Sequence, residues 1–583
     1  MDKCEIAIIG GGPSGSTVAT LVRKYDPDVD IRVFERETFP REHIGESQLP
    51  PITTVLDEMD VWDKVEAAGF PIKTGAMYRW GTSPDLWKLD FLVGEQFENN
   101  PRPERLRGQR HRTTFHVERG LYDQILLEHA ASLGVGVRQG TQVVEVLRDG
   151  DRVEGIKLAG GEIVVADWYV DASGNSGILR RQMGVEVEEP TKLKNVAFWD
   201  YWTNPAWAET VCKGGVRARI FSLGYGWVWF IPLSTTRASV GLVTHGDYFK
   251  ASGMRPAELY EKALTDDPFV SSIMPGATAE GHVRSTKDWS FTASRLCGEN
   301  WFLTGECGGF ADPILAAGMT LAHVGARELA YVLLELRRGK LDPEWLKSWY
   351  ERLSLRRVRQ HIRFADFWYS ANSHFDDLKA YSAEIACDAG LSLNPDEAFM
   401  WLSQGGFATD TLSGPAFGSY ELGPAKAVVE VLTGDRPTWK LNSVNDLKLN
   451  LVGAKQVEVP IFQKGKIEAV RCYERGSKLL PIHGVYRLVV AAVRHERDAK
   501  AILQYLRHSI GLPPDFVGYH PVLIHCLEAI EGMLIEGWLK GSRNKSRPMV
   551  RIELEQNSIA LAIDDDDVQI ERQGTERKRE NHP

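Results

Sequence analysis

The chain opens on a short apolar run, a glycine-rich turn, an amphipathic stretch and a second apolar run: EIAIIG, GGPSGSTVATLVRKY and IRVFER. Short continuous apolar runs bounded by turn signals predict buried parallel strands, and the order strand, turn, helix, strand predicts a βαβ unit that opens a doubly wound sheet. Helical periodicity returns over 50–68 and 120–133, and strands are predicted in GVRQGTQVVEVLRDG, DRVEGIKL and IVVADWYVDASG. Apolar and polar positions alternate over 196–243, which predicts a second, antiparallel sheet inserted at about 190–295. A turn-rich segment ending at 306–309 leads into helices over 319–372. The pattern then changes. Residues 1–372 read as one α/β core, 373–562 as a mainly helical C-terminal region with amphipathic runs at 498–510 and 520–539, and the polar 563–583 as a disordered tail.

Composition narrows the class. With 43% hydrophobic and 25% charged residues in 583, the chain can bury a large core, and global disorder is excluded. A net charge of −10 argues against nucleic acid as partner, which would call for a basic face. Seven scattered cysteines without a CxxC pair argue for reduced thiols and against a disulfide scaffold or a metal site. No apolar run reaches the length of a membrane span, and the N-terminus enters a strand directly, so the expectation is a cytoplasmic protein without a signal peptide.

The first candidate site lies in the opening turn. Gly10, Gly12 and Gly15 form a GxGxxG between a strand and a helix, with Pro13 and Ser14 inside it. Glycines there permit the tight turn and the close approach of a pyrophosphate, and the helix N-terminus attracts its charge. Glu35, twenty residues after Gly15 at the end of the second strand, is placed to accept ribose hydroxyls, with Arg36 beside it.

Two later segments, Val170-Asp171-Ala172-Ser173-Gly174 and Gly305-Glu306-Cys307-Gly308-Gly309-Phe310-Ala311-Asp312-Pro313, resemble the remaining flavin contacts of the hydroxylase-like flavoproteins. Arg119 matches an arginine that this group places near the cofactor, and Glu306 stands where its relatives carry Asp. The resemblance implies a Rossmann-like FAD-binding module carrying an inserted antiparallel substrate-side sheet, and FAD as cofactor. It implies Asp171, Glu306, Asp312 and Gly318 among the cofactor contacts, besides Gly10, Gly12, Pro13, Ser14, Gly15, Glu35, Arg36 and Arg119.

Trp227-Val228-Trp229-Phe230-Ile231-Pro232 matches the WxWxIP motif of the flavin-dependent halogenases at every defined position. Gly69-Phe70-Pro71-Ile72-Lys73-Thr74-Gly75, followed by Tyr78-Arg79-Trp80-Gly81, looks like the segment that carries their active-site lysine. Phe39-Pro40-Arg41 and Gly45-Glu46-Ser47 fit the members that act on phenols and pyrroles, often on carrier-bound substrates, and add Arg41 and Ser47 to the cofactor side. The resemblance covers roughly 1–370. It implies that reduced FAD, provided by a separate flavin reductase, oxygen and chloride or bromide give hypohalous acid. That species reaches Lys73 behind a wall of Trp227, Trp229, Ile231 and Pro232, and halogenates an electron-rich aromatic substrate, free or carrier-tethered.

The match fails at one turn. After Asp312-Pro313, halogenases carry Ser or Thr before a glycine, whereas this chain reads Ile314-Leu315-Ala316-Ala317-Gly318. The amides of Ala317 and Gly318 remain as an anion nest for the halide, without a hydroxyl. Leu315 also replaces the glutamate of tryptophan halogenases, which turns the expectation away from free tryptophan. A monooxygenase or reductase of the same fold suits the altered turn but leaves the tryptophan wall without a purpose. A non-catalytic flavin-binding or carrier-interaction protein is a third reading, and it predicts no oxidation of reduced FAD coupled to a product.

Overall fold

A computed structural model describes residues 2–80, 86–92, 109–189, 194–212, 215–287, 290–370, 383, 439–476, 478–514, 516, 520–555 and 558–564. The chain divides into two compact units, and Val459–Ala469 belongs to the first of them together with Met1–Ala389. The expected boundary at 372–373 lies outside the described residues, as does the tail beyond Asp564. The strand Ser558–Asp564 reaches into the stretch read as tail.

The first unit is a doubly wound α/β module. Its seven-stranded sheet runs Gly136–Arg138, Ile31–Phe34, Asp2–Ile9, Ile163–Asp171, Arg152–Leu158, Val143–Asp149, with Trp301–Leu303 also on Ile163–Asp171. The strands around Asp2–Ile9 are parallel, as their unbroken apolar runs require, and the meander Val143–Asp171 adds antiparallel pairs. Helix Pro13–Tyr25 starts with proline in its first turn and buries every residue from Pro13 to Val22, because it lies between the sheet and the helices Arg119–Ser132 and Gly318–Arg338. A buried chain pins the three helices together: Thr17 Oγ1 lies 2.9 Å from His323 Nδ1, and Tyr122 Oη 2.8 Å from His323 Nε2. The helical stretch read at 50–68 is two helices, Pro51–Glu58 and Trp62–Ala67, broken where Asp60 takes φ 58°.

The inserted sheet is larger than the alternation over 196–243 predicts. It has nine strands and recruits Ile72–Arg79, Trp87–Asp90 and Thr114–Phe115 from the N-terminal third. Ile72–Arg79 pairs parallel to Val216–Leu223, which in turn pairs antiparallel to Gly226–Pro232. The strand that carries Lys73 and the WxWxIP strand are thus second neighbours. Val228 and Phe230 point into a core closed by helix Pro256–Asp266, so strand alternation sends Trp227 and Trp229 to the opposite face.

Beyond the helices of the core, Lys464 and Gly465 both take positive φ in a tight reversal, and Phe462 and Ile467 on either side join the first unit's core, Phe462 edge-on to Tyr331 at 5.8 Å. The second unit has its own core around Trp439, Trp538, Ile502 and Leu527. Helices Ala499–Ser509 and Pro521–Ile535 match the two amphipathic runs, and helix Gly484–His495 joins them. Strands Asp446–Leu449 and Leu539–Ser542 pair, as do Met549–Glu555 and Ser558–Asp564, whose apolar residues recur at every second position. All six cysteines described are free, and Cys387 lies outside the described residues.

Candidate active site

The glycine turn opens onto a cleft of about 580 Å³, and the sequence-selected residues Gly10, Gly12, Pro13, Ser14, Glu35, Arg36, Arg41, Arg119, Glu306 and Gly318 all line it. Strand ends and helix N-termini bring them together: Asp2–Ile9 delivers the turn, Ile31–Phe34 delivers Glu35, and the starts of two helices supply Arg119 and Gly318. Glu35 accepts from Gly11 N at 2.7 Å and Glu37 N at 2.9 Å, which fixes its carboxylate against the turn. Burial raises the pKa of Glu306, and Arg119 and Arg41 oppose that rise. The turn, the helix N-terminus and the acid at the second strand fit a dinucleotide of FAD type.

Four expected cofactor residues sit elsewhere. Gly15 lies behind the turn, where a Cβ would fall almost on the Gly10 carbonyl oxygen. Asp171 is fully buried and spends its carboxylate on Ser173 N and Oγ, Leu179 N, Arg180 N and Cys307 Sγ, so it braces the neighbouring turn without lining the cleft. Ser47 belongs to the lysine side and Asp312 to the tryptophan side.

A strap, residues 41–48, runs from the cleft to the lysine. Arg41, Glu42 and His43 line the cleft, and Arg119 clamps the middle by donating to Ile44 O (2.8 Å) and Gly45 O (3.3 Å) while paired with Asp123. Lys73 Nζ then donates to Ser47 Oγ (2.8 Å) and Gln48 O (2.7 Å) and lies 5.5 Å from the Phe91 ring centroid. Only three residues separate His43 from Ser47, which makes at most about 14 Å of extended chain between them. Cleft and lysine are close neighbours along the strap.

Lys73 is 1% exposed, with no carboxylate among its hydrogen-bond partners. Burial lowers its pKa from 10.5 to about 7, so amine and ammonium coexist near neutrality. The linkage has a sign: between about pH 7 and 10.5 the unfolded lysine holds a proton that the folded one has released. The wild type should therefore gain stability relative to Lys73→Met as pH rises through that window, which paired urea titrations at several pH values will read. A parallel pH dependence of the two proteins would place the Lys73 pKa near its ordinary value.

Trp227 and Trp229, 2% and 6% exposed, stand side by side with ring centroids 5.9 Å apart. Trp229 Nε1 donates to Ser239 Oγ (3.1 Å), and its ring fills the space that a side chain at Gly241 would need. Trp227 Nε1 donates to Tyr369 Oη (2.6 Å), which donates to Asp312 Oδ1 (3.0 Å). Asp312 also accepts from Ile314 N (2.9 Å) and Asn195 Nδ2 (3.4 Å), and it is 2% exposed. Its carboxylate ties the wall to the following turn. In that turn Ala316 is left-handed (φ 55°, ψ 30°) and Ala317 right-handed (φ −85°, ψ −15°), directly before helix Gly318–Arg338. Such an alternation turns successive amides toward one point, and the first amides of a helix have no intrahelical acceptor. The loss of the hydroxyls leaves that concavity in place.

Gln48, His116, Asn195 and Tyr369 join the site only in the folded chain. Tyr369 and Asn195 carry no local signal, since only folding brings them to Asp312. His116 has one: it is a polar residue at a position of Thr113–Val117 that strand burial claims, and it is 0% exposed. Among the described residues no group of three His, Cys, Asp or Glu could hold a metal, and no helix is long and apolar enough to cross a membrane.

A family model described as tryptophan halogenase matches residues 5–103 and 96–378, more than half of the chain. The chain belongs to this family of flavin-dependent halogenases. A tryptophan 2-halogenase of Chondromyces crocatus is 32% identical over 60% of this chain and 64% of its own length, slightly less than two thirds of that relative. A 1H-pyrrole-2-carbonyl peptidyl-carrier-protein chlorinase of Pseudomonas fluorescens is 30% identical over 65% of this chain and 89% of its own. The crystal structure of CmlS, a flavin-dependent halogenase, superposes with a TM-score of 0.68 over 95% of this chain and 98% of that one; at 22% identity the likeness is one of fold. This halogenase-family chain thus has the mixed parallel and antiparallel architecture that its motifs imply.

Proposed function

We propose that the protein uses reduced FAD, oxygen and chloride or bromide to halogenate an electron-rich aromatic substrate, with hypohalous acid passing from the cleft to Lys73. When bound, the flavin supplies the oxidising equivalents, drawn from oxygen, that convert halide to hypohalous acid. Gly10, Gly12, Pro13 and Ser14 would hold its pyrophosphate, and Glu35 its ribose. The amides of Ala317 and Gly318 would orient the halide at the edge of the cleft, which Gly318 lines. Trp227 and Trp229 exclude water and keep the substrate off the flavin. Lys73 donates to the oxygen of hypohalous acid as ammonium, or takes up the halogen as amine, and both forms are populated near its pKa of about 7.

The observation that carries this reading is the buried lysine held by Ser47 and Gln48 at the far end of a strap that begins in the cleft. A lysine with a purely structural role would extend its ammonium to water. Mass spectrometry of products from reduced FAD, oxygen and each halide, with free and carrier-tethered phenols and pyrroles, tests the proposal. Halide-independent hydroxylation would favour the monooxygenase alternative. A separate flavin reductase belongs to the same proposal, and rapid bleaching of bound flavin by NADPH without a helper protein would remove it.

The wall gives a milder prediction. Trp227→Phe keeps the ring but leaves Tyr369 without its indole donor, at a cost of about 1 kcal/mol. FAD titration should be nearly unchanged, while product per oxygen consumed falls severalfold. Parent-like coupling would reduce the indole to core packing.

A further inference from the structure

The strand pairing places His116 on the same face as Lys73. Lys73 is directly opposite Thr114, and residues opposite each other share a face. His116 is two residues along from Thr114, hence on that face too, and Ser47 is its own partner across an antiparallel bridge. Thr114 Oγ1 donates to Gln48 Oε1 (3.1 Å), so the polar side chains around Lys73 form one set. His116 Nδ1 lies 3.0 Å from Pro232 O, the carbonyl that ends the WxWxIP motif. A carbonyl only accepts, so the proton resides on Nδ1 and Nε2 keeps its lone pair. Nε2 is fully buried and has no hydrogen-bond partner among the described residues.

An unmade acceptor in such a place costs about 1–3 kcal/mol, and native structures rarely leave one without a use. Burial, and after it the charge of Lys73, hold the imidazole well below its ordinary pKa, so it stays neutral. One face therefore presents an ammonium with one N–H beyond the two given to Ser47 and Gln48, and a neutral acceptor beside it.

Resting on the halogenase reading, we propose that His116 is a second catalytic residue: its Nε2 accepts the O–H of hypohalous acid while Lys73 donates to the oxygen. The pair is complementary to a small molecule that is donor and acceptor at one atom. Pro232 couples the grip to the tryptophan wall by fixing the tautomer.

Two substitutions separate the two nitrogens. His116→Asn keeps a donor for Pro232 O and has nothing at the position of Nε2; His116→Gln places an amide oxygen near that position. In the FAD-free protein, 15N spectra of labelled histidine should show a neutral His116 protonated on Nδ1, a signal missing from His116→Asn. A proton on Nε2 overturns the proposal. During turnover, His116→Asn should consume oxygen as the parent does and convert about three- to tenfold less of it into product, the worth of one hydrogen bond. The missing oxidant should appear in solution as hypohalous acid trapped by monochlorodimedone, and His116→Gln should recover much of the coupling. Unchanged coupling in His116→Asn overturns the proposal, and so does equal loss in both variants with nothing trapped, which marks a packing role. A parent that yields neither product nor trapped oxidant with any halide overturns the halogenase reading itself, and the spectra still decide the tautomer.

Discussion

Lys73→Met should consume oxygen and produce hypohalous acid at the parent's rate and yield at least about a hundredfold less halogenated product, the usual worth of such a group. Lys73 does not line the cleft, so its removal leaves the cofactor's surroundings untouched. Methionine fills a buried slot of similar volume and has no charge to desolvate. Lys73→Arg should fail as well, because a guanidinium stays charged and cannot become a haloamine, and its larger head has no room at 1% exposure. Oxygen uptake, trapped hypohalous acid and product, measured together, check the prediction. Parent-like halogenation by Lys73→Met would make the lysine a bystander. Loss of oxygen uptake as well would mark a folding or cofactor defect.

The residues legible in the sequence share one property: their roles are local. The GxGxxG turn lies between a strand and a helix within a few residues, and Glu35 ends the second strand of the same βαβ unit, so adjacency along the chain is adjacency in space. The Trp227–Pro232 strand announces itself by alternation, and the two faces it predicts are the two observed. The second sheet's outline is harder to read because Ile72–Arg79 enters it by pairing parallel to Val216–Leu223, the neighbour of the WxWxIP strand, across well over a hundred residues, which no periodicity encodes. Asp171 and Asp312 show the opposite failure. Both sit in segments whose resemblance to flavin contacts is local, yet each carboxylate is consumed by hydrogen bonds that only the folded turn creates.

Polar groups inside the core explain what stayed hidden. Pattern reading assigns buried positions to apolar residues, so His116, Gln48 and Asn195 pass as loop or strand-edge residues until the pairing places them. Glu46 is a further instance: it is 2% exposed, accepts from Tyr201 Oη at 2.9 Å, and burial pushes its pKa up to about 7. It directly precedes Ser47 and Gln48, the two residues that accept from Lys73, so a titrating carboxyl adjoins the stretch of strap that holds a titrating lysine. Perturbed groups collect at functional sites because that is where burial of charge is tolerated.

Gly12→Val should fold normally and bind FAD on the order of a hundredfold or more weakly, while Gly15→Ala should lose stability and FAD binding together. The contrast follows from what a side chain would meet. Gly12 has φ −69° and ψ −173°, a conformation open to any residue, and a Cβ there meets only the tip of Arg41 at 3.3 Å. Its other surroundings are the cleft, so the two valine methyls would occupy the space where a pyrophosphate approaches the helix N-terminus. Losing two hydrogen bonds to a charged group costs roughly 3–6 kcal/mol, which is the predicted drop in affinity. At Gly15 the Cβ collides with the Gly10 carbonyl inside the turn itself, so even one methyl must open the strand–helix junction. Flavin fluorescence titration alongside thermal unfolding distinguishes the two outcomes. Unchanged FAD affinity in a well-folded Gly12→Val would mean that the cofactor's phosphates do not lie on this turn, and the assignment of the whole cleft would fall with it.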